Sequence, residues 1–325
     1  MKIAVLGAGA WGTALAISLS GQHHVSLWSR DPERAAAIAS ARNNARYLPG
    51  FEIPRSVTIS ADLGTCLARC ETVICAVPIS ALRSVLEQLR TCEAAVILAC
   101  KGFEHDSALL PHEVVHAVLG AREICVLSGP SFAQEVARGL PTAVVLASSA
   151  SSLAQHLARE LHGPRLRIYS NDDLIGVEAA GAAKNVMAIA AGICDGLELG
   201  LNARAALISR GLAEISRLGL RLGGRVETFM GLAGAGDLIL TCTGNLSRNR
   251  TVGLRLAAGM ALAEILASLG HIAEGVGTAY EVHRLAGRLG VDMPITAVIC
   301  RVLDSGLAPA EAVGQLMERD PRPEF

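Results

Sequence analysis

Aromatic residues are scarce in this chain. Five Phe, three Tyr and two Trp make up 3% of 325 residues. A base-stacking platform for nucleic acid needs more rings than that. Neither sign of charge is in excess, since 29 Lys and Arg face 30 Asp and Glu for a formal net charge of −1. That balance gives no polybasic surface for nucleic acid or anionic membrane. The nine cysteines form no C-x-x-C pair, no zinc spacing and no disulfide framework. They read as apolar thiols of a reducing, cytoplasmic compartment, and no metal site is predicted. No run of about 18 uncharged apolar residues occurs, so no transmembrane helix is expected. The apolar run from Lys2 to Ser20 could mimic a signal peptide, but Gly7, Gly9 and Gly12 interrupt it. What the chain does have is small and hydrophobic residues: 33 Gly, and 51% hydrophobic overall. That is enough for a full core and, by length, for two domains.

The two halves have different rhythms. Short apolar runs at 2–6, 25–28, 72–77, 95–100, 124–127, 143–147 and 166–168 alternate with helical stretches. Several are continuous rather than alternating, as in strands buried on both faces. The rhythm predicts an α/β fold with a Rossmann-like, mostly parallel sheet. After Asn171 the strands stop, and "NARAALISRGLAEISRLGL", "GTAYEVHRLAGRLGV" and "PITAVICRVLDSG" read as helices of an all-α second domain. The boundary is placed near 175, giving a dinucleotide-binding domain at 1–175 and a helical substrate domain at 176–325. Pro32 and Pro294 mark helix starts. The tail "RDPRPEF" is expected to be a loosely held end.

"KIAVLGAGAWGTALA" carries Gly7, Gly9 and Gly12 between a strand and a helix, the context that gives G-x-G-x-x-G its meaning. Gly7 permits a tight turn, Gly9 lets the backbone approach a pyrophosphate, and Gly12 lets the helix pack on the strand. Free N–H groups at the helix start attract the anion. The second strand ends "LWSRDPE". Asp31 is better explained as a helix cap before Pro32 than as a ribose ligand. Arg30 is then free to meet a 2′-phosphate, so either NADPH is favoured or both cofactors are used. Lys101, Pro78 and "SGPSFA" follow strands at the carboxyl edge of the sheet, where ligands of such folds bind. A lysine at a strand end is, alone, more often a surface charge.

"GVEAAGAAKNVMAIAAGICDG" reads as a helix with an apolar stripe through Val177, Ala180, Met187, Ala188 and Ala191. Lys184 falls on that stripe. A lone lysine there often snorkels, with its amine in water. "GLAGAGDLILT", around Asp237, reads as a loop with close backbone approach, because no strand precedes it. In "SRNR", Ser247 can cap a helix while Arg248 and Asn249 offer donors to a phosphate. Glu274 precedes a further helix and alone reads as a first-turn acid.

Taken together these motifs, in order over residues 7 to 275, resemble bacterial NAD(P)-dependent glycerol-3-phosphate dehydrogenase. "GAAKNV", "GAGDLILTCT" and "SRNR" carry the resemblance more specifically than the glycine turn. It implies reversible reduction of dihydroxyacetone phosphate to sn-glycerol 3-phosphate for phospholipid synthesis, with NADPH or NADH, in a cytoplasmic homodimer. It implies that Lys184 is the general acid/base, and that Lys101, Gly129, Ser131, Asp237, Ser247, Arg248 and Asn249 line the substrate pocket. Trp11, Arg30, Lys101, Ala133, Arg248, Ile272 and Glu274 would join Gly7, Gly9 and Gly12 at the cofactor. Ala10, Ala183 and Gly244 depart from the usual Ser, Leu and Ser; none removes a charge. A hydroxyacid dehydrogenase of similar architecture, a non-catalytic NADPH sensor and a Schiff-base role for Lys184 with a ketone are the rival readings. "SRNR" argues against the first, and idle Lys184, Asp237 and Arg248 against the second. Apolar burial and the Lys101 cation would lower the amine of Lys184, whereas Asp237 in direct contact would raise it.

Overall fold

The computed structural model describes residues 1–269, 273–304 and 306–320. Residues 321–325 of the expected loose tail, and Ile272, lie outside them. The strands are β1 (Lys2–Leu6), β2 (His24–Trp28), β3 (Asn43–Asn44), β4 (Leu48–Glu52), β5 (Thr58–Ser60), β6 (Thr72–Cys75), β7 (Ala95–Leu98), β8 (Ile124–Ser128), β9 (Thr142–Ala147) and β10 (Leu166–Asn171). Eight of them form one sheet in the order β10-β9-β8-β7-β6-β1-β2-β5. All neighbours are parallel except β8 and β9. The central strands β6, β7 and β8 are buried almost throughout, which is why their sequences are continuous apolar runs.

Two pieces of strand escaped the sequence pattern. β5 has only three residues, too few to show a period. β3 and β4 form a small antiparallel ribbon through Pro49 and Gly50, which signal a turn rather than a strand. The ribbon packs against the helix Ala10–Leu19, and neither piece alters the sheet order elsewhere.

No strand occurs after Asn171 among the described residues, and the expected helices are present as Gly200–Arg221, Glu274–Leu289 and Pro294–Asp304. The helix that links the halves is Leu174–Gly196. Asp173 caps it, accepting from Gly176 N at 2.9 Å while its other oxygen accepts from Thr228 Oγ1 at 2.6 Å and Arg225 N at 2.8 Å. Leu174 and Val177 pack into a core under the sheet. From Ala179 onward the same helix is the centre of the helical core. Every residue from Gly176 to Cys194 is buried. The expected stripe is therefore incomplete as a description: this helix is covered on all faces, and its small Ala and Gly residues let neighbours approach from every side. The segment is long and apolar enough to cross a membrane, but 94% of its most apolar window is buried inside the protein.

Candidate active site

The carboxyl ends of β1, β2, β6, β7 and β8 lie along one sheet edge, as their registers require. At the first of these, Gly7 has φ +114°, and a Cβ there would stand 2.6 Å from the Ala76 carbonyl oxygen. A Cβ on Gly12 would stand 2.0 Å from the Gly7 carbonyl oxygen. Both positions thus need glycine for the turn and for close packing. Gly9 is different. A Cβ there would meet no described protein atom within 4 Å, so the space beside it is open to a ligand. The helix Ala10–Leu19 starts at Gly9 with no side-chain cap and no acid in its first turn. An open backbone cradle at an uncapped helix start is what a pyrophosphate requires, so these residues fit a dinucleotide.

Asn44, which sequence patterns did not single out, holds this turn from behind. Its Nδ2 donates to the Ala8 carbonyl at 3.0 Å and to Thr13 Oγ1 at 2.8 Å. Only the fold of the β3–β4 ribbon brings it there. Asp31 does cap the next helix, accepting from Arg34 N at 3.1 Å. Arg30 remains exposed at the end of β2. Trp11 and Ala133, from distant segments, pack against the same small apolar cluster. Arg30 stands apart from the lysine cluster, three strands along the edge from Lys101.

Lys101 and Lys184 share one carboxylate. Lys101 Nζ donates to Asp237 Oδ2 at 2.6 Å, and Lys184 Nζ donates to Asp237 Oδ1. Lys184 Nζ also donates to Thr241 Oγ1 at 2.9 Å, and that hydroxyl donates onward to the Asp237 carbonyl at 2.6 Å. The Lys184 side chain is 8% exposed and that of Asp237 2%. Snorkelling into water is excluded by this burial. Burial lowers the Lys184 amine most, Asp237 raises it and Lys101 lowers it, with the balance at about 8. Burial opposes ionisation of Asp237 too, but the two ammonium groups together hold it below the ordinary aspartate range. Direct contact with Asp237 therefore does not undo the effect of burial on the lysine.

Asp237 does not sit in a loop. Leu232–Gly236 is a π-helical turn that runs into the helix Asp237–Thr243. The glycines that suggested a loop serve close approach within helical structure: a Cβ on Gly234 would stand 2.1 Å from the Phe229 carbonyl oxygen. The wide turn lets Asp237 and Thr241, four residues apart on one face, both reach Lys184.

Ser247 caps the helix Arg248–Ala257, accepting from Arg250 N at 3.2 Å. Arg248 is exposed and makes no side-chain hydrogen bond with the described residues. Asn249 Oδ1 accepts from Gly275 N at 3.1 Å, and a Cβ on Gly275 would meet both Asn249 Oδ1 and the Asn185 carbonyl at 2.8 Å. The start of this helix therefore stands beside the turn that carries Lys184. Glu274 opens the helix Glu274–Leu289, with burial raising its carboxyl against the opposing charges of Arg248, Lys101 and Lys184. Gly129, with φ +129°, and Ser131, whose Oγ donates to the Gly129 carbonyl at 3.0 Å, form the loop after β8. A Cβ on Gly236 would stand 3.6 Å from Pro130 Cγ of that loop, and one on Gly244 would stand 2.4 Å from Phe132 Cε2. The nine cysteines are free thiols, seven of them buried.

Two family models match the chain. The N-terminal model of NAD-dependent glycerol-3-phosphate dehydrogenase covers residues 2–154, and its C-terminal model covers residues 173–314. A glycerol-3-phosphate dehydrogenase (NAD(P)+) of Dechloromonas aromatica (strain RCB) is 58% identical over the whole of both chains. One from Thiobacillus denitrificans (strain ATCC 25259 / T1) is 56% identical, again over 100% of each. Among solved structures, glycerol-3-phosphate dehydrogenase from Coxiella burnetii is similar with a TM-score of 0.93 and 44% identity, covering 98% of each chain.

Proposed function

The chain belongs to the NAD-dependent glycerol-3-phosphate dehydrogenase family and is an NAD(P)-dependent oxidoreductase acting between dihydroxyacetone phosphate and glycerol 3-phosphate; from that premise we propose that Lys184 is its general acid and base. The observation that carries this reading is a buried amine held at about 8 between Asp237, Thr241 and Lys101. An ordinary lysine near 10.4 would be almost wholly protonated at neutral pH. One near 8 exists in both forms. As ammonium it gives a proton to the C2 oxygen while the ketone is reduced. As free amine it takes the C2 hydroxyl proton in the opposite direction. Two of the three ammonium protons are directed at Asp237 and Thr241, and the third is left for substrate.

Arg248 and the N–H groups of the Ser247-capped helix hold the substrate phosphate. Asn249, Lys101, Gly129 and Ser131 complete the pocket. Gly7, Gly9, Gly12, Trp11, Ala133 and Glu274 hold the dinucleotide, with Arg30 directed to a 2′-phosphate in favour of NADPH. When bound, that cofactor supplies or accepts the hydride at C2. The nucleotide half, 1–175, and the catalytic half, 176–325, close over the substrate and exclude water. The product supplies phospholipid synthesis in the cytoplasm, where free thiols persist. A homodimer forms through exposed apolar residues of the helical half such as Leu201 and Met230, which are 72% and 65% exposed.

The test is NADPH consumption with dihydroxyacetone phosphate by wild type and Lys184→Ala. The variant is expected to lose about 10²-fold or more in kcat while NADPH binding persists. A variant within about threefold of wild type would remove Lys184 from the proton transfer.

A further inference from the structure

The two helices that carry Lys184 and Arg248 are joined more closely than side chains allow. A Cβ on Gly192 would stand 2.0 Å from the Arg250 carbonyl oxygen, and a Cβ on Gly253 would stand 2.0 Å from the Ile189 carbonyl oxygen. A Cβ on Gly196, in the same seam, would stand 2.6 Å from the Ala257 Cβ. Backbone therefore lies on backbone between Leu174–Gly196 and Arg248–Ala257. Such a seam fixes the separation of two helices but leaves the sliding of one along the other to polar locks.

One lock lies at the end of the seam. Arg250 Nε donates to Asp195 Oδ2 at 2.8 Å, and its Nη2 lies 2.7 Å from the same oxygen. Arg250 Nη1 donates to Asn245 Oδ1 at 3.2 Å. Arg204 Nη1 approaches the two Asp195 oxygens at 3.2 and 3.3 Å. The side chains of Arg250 and Asp195 are 13% and 14% exposed. One guanidinium thus ties the linking helix, through Asp195, to the loop just before Ser247, through Asn245. It lies two residues from Arg248, yet it is turned away and committed to protein partners.

We propose that Asp195, acting through Arg250, is a positioning residue that sets the phosphate-binding helix start at a fixed distance from Lys184. This rests on the reading of Arg248 as the phosphate receptor. The physical demand is clear: the phosphate and the C2 oxygen belong to one small molecule. A shift of either anchor by about 1 Å can cost on the order of 10² in rate.

The experiment compares dihydroxyacetone phosphate with dihydroxyacetone, which has the reacting carbonyl and no phosphate. Asp195→Asn is expected to lower kcat/KM for the phosphorylated substrate on the order of 10- to 100-fold. The slow reduction of dihydroxyacetone, measured at saturating NADPH, should change less than about twofold. Arg250→Lys, which keeps the charge but not the fork, should fall between wild type and Asp195→Asn. Equal losses on both substrates would make Asp195 a merely structural residue and overturn the proposal, as would no loss on either. Arg248→Ala is the control. If it leaves the ratio of the two substrates unchanged, the phosphate reading fails and the proposal falls with it. If Arg248→Ala collapses the ratio and Asp195→Asn does not, only the positioning role is refuted.

Discussion

Asp237→Asn removes the carboxylate that the buried Lys184 and the half-buried Lys101 share, so it tests the electrostatics of the site directly. The carboxylate is what keeps the Lys184 proton in place against burial and Lys101. Unit charges about 4 Å apart attract by about 4 kcal/mol at an effective dielectric of about 20. At about 1.36 kcal/mol per decade, losing that attraction weakens proton binding on the order of a thousandfold. With the amine at about 8, roughly three-quarters of wild-type molecules carry the proton at about pH 7.5. In the variant that share falls below roughly 1%. The sign follows from the chemistry. Ketone reduction needs the ammonium, so its rate falls as pH rises through the amine's pKa, and that fall moves to lower pH when the carboxylate is gone. Initial rates of NADPH consumption from about pH 5.5 to about 9.5 would show it. The wild-type alkaline fall should centre near 8, and that of Asp237→Asn below about 6, with reduction at about pH 7.5 on the order of 10² slower. An unmoved midpoint would mean that the profile does not report Lys184 and that Asp237 does not hold its proton.

Arg30→Asp should weaken NADPH binding by about tenfold or more, since a charge-assisted bond to the 2′-phosphate contributes about 1.5–3 kcal/mol, and leave NADH binding unharmed; unchanged NADPH affinity in a titration would dismiss Arg30 as a phosphate ligand. Gly9→Ala should melt within about 2 °C of wild type, because nothing in the described protein stands within 4 Å of the new methyl, yet bind NADPH more weakly. Gly12→Ala should lose stability and binding together, since its methyl meets the Gly7 carbonyl at 2.0 Å; wild-type NADPH affinity in Gly9→Ala would show that no ligand approaches there. Glu214 is held up at about 7 by burial, against the bonds it accepts from Ile295 N at 2.6 Å and Thr296 N at 3.2 Å. The folded state thus binds its proton more tightly than the unfolded chain does, near 4.3, and stability from this group is lost as pH rises between those values. The stability of wild type minus that of Glu214→Gln should therefore fall by about 3 kcal/mol between about pH 4 and pH 8, and a flat difference in denaturant titrations would refute it.

Much of this protein is written in local patterns. Continuous apolar runs identify strands covered on both faces, because burial on two sides leaves no polar position. The glycine turn identifies itself because backbone approach and φ +114° at Gly7 admit no other residue. Asp31 and Ser247 mark helix starts because a cap acts within three residues. "GAAKNV", "GAGDLILTCT" and "SRNR" point to the reaction because their order spans both halves of the chain. What local pattern does not carry is distance between segments far apart in sequence. Asp237 reads as a loop residue until the π-helical turn aims it, with Thr241, at Lys184. Asn44 is an unremarked polar residue until the β3–β4 ribbon puts it behind the glycine turn. Arg250 and Arg248 look alike in "SRNR", and only the Asp195 carboxylate, 55 residues away in the chain, takes one of them for structure while the other stays exposed. The same holds for the amine of Lys184. Its lysine identity sets a value near 10.4, but burial from all sides, one carboxylate and one neighbouring cation bring it to about 8. Residue type and spacing determine which groups are present; tertiary packing decides their separation and their access to water, and electrostatic energies depend on both.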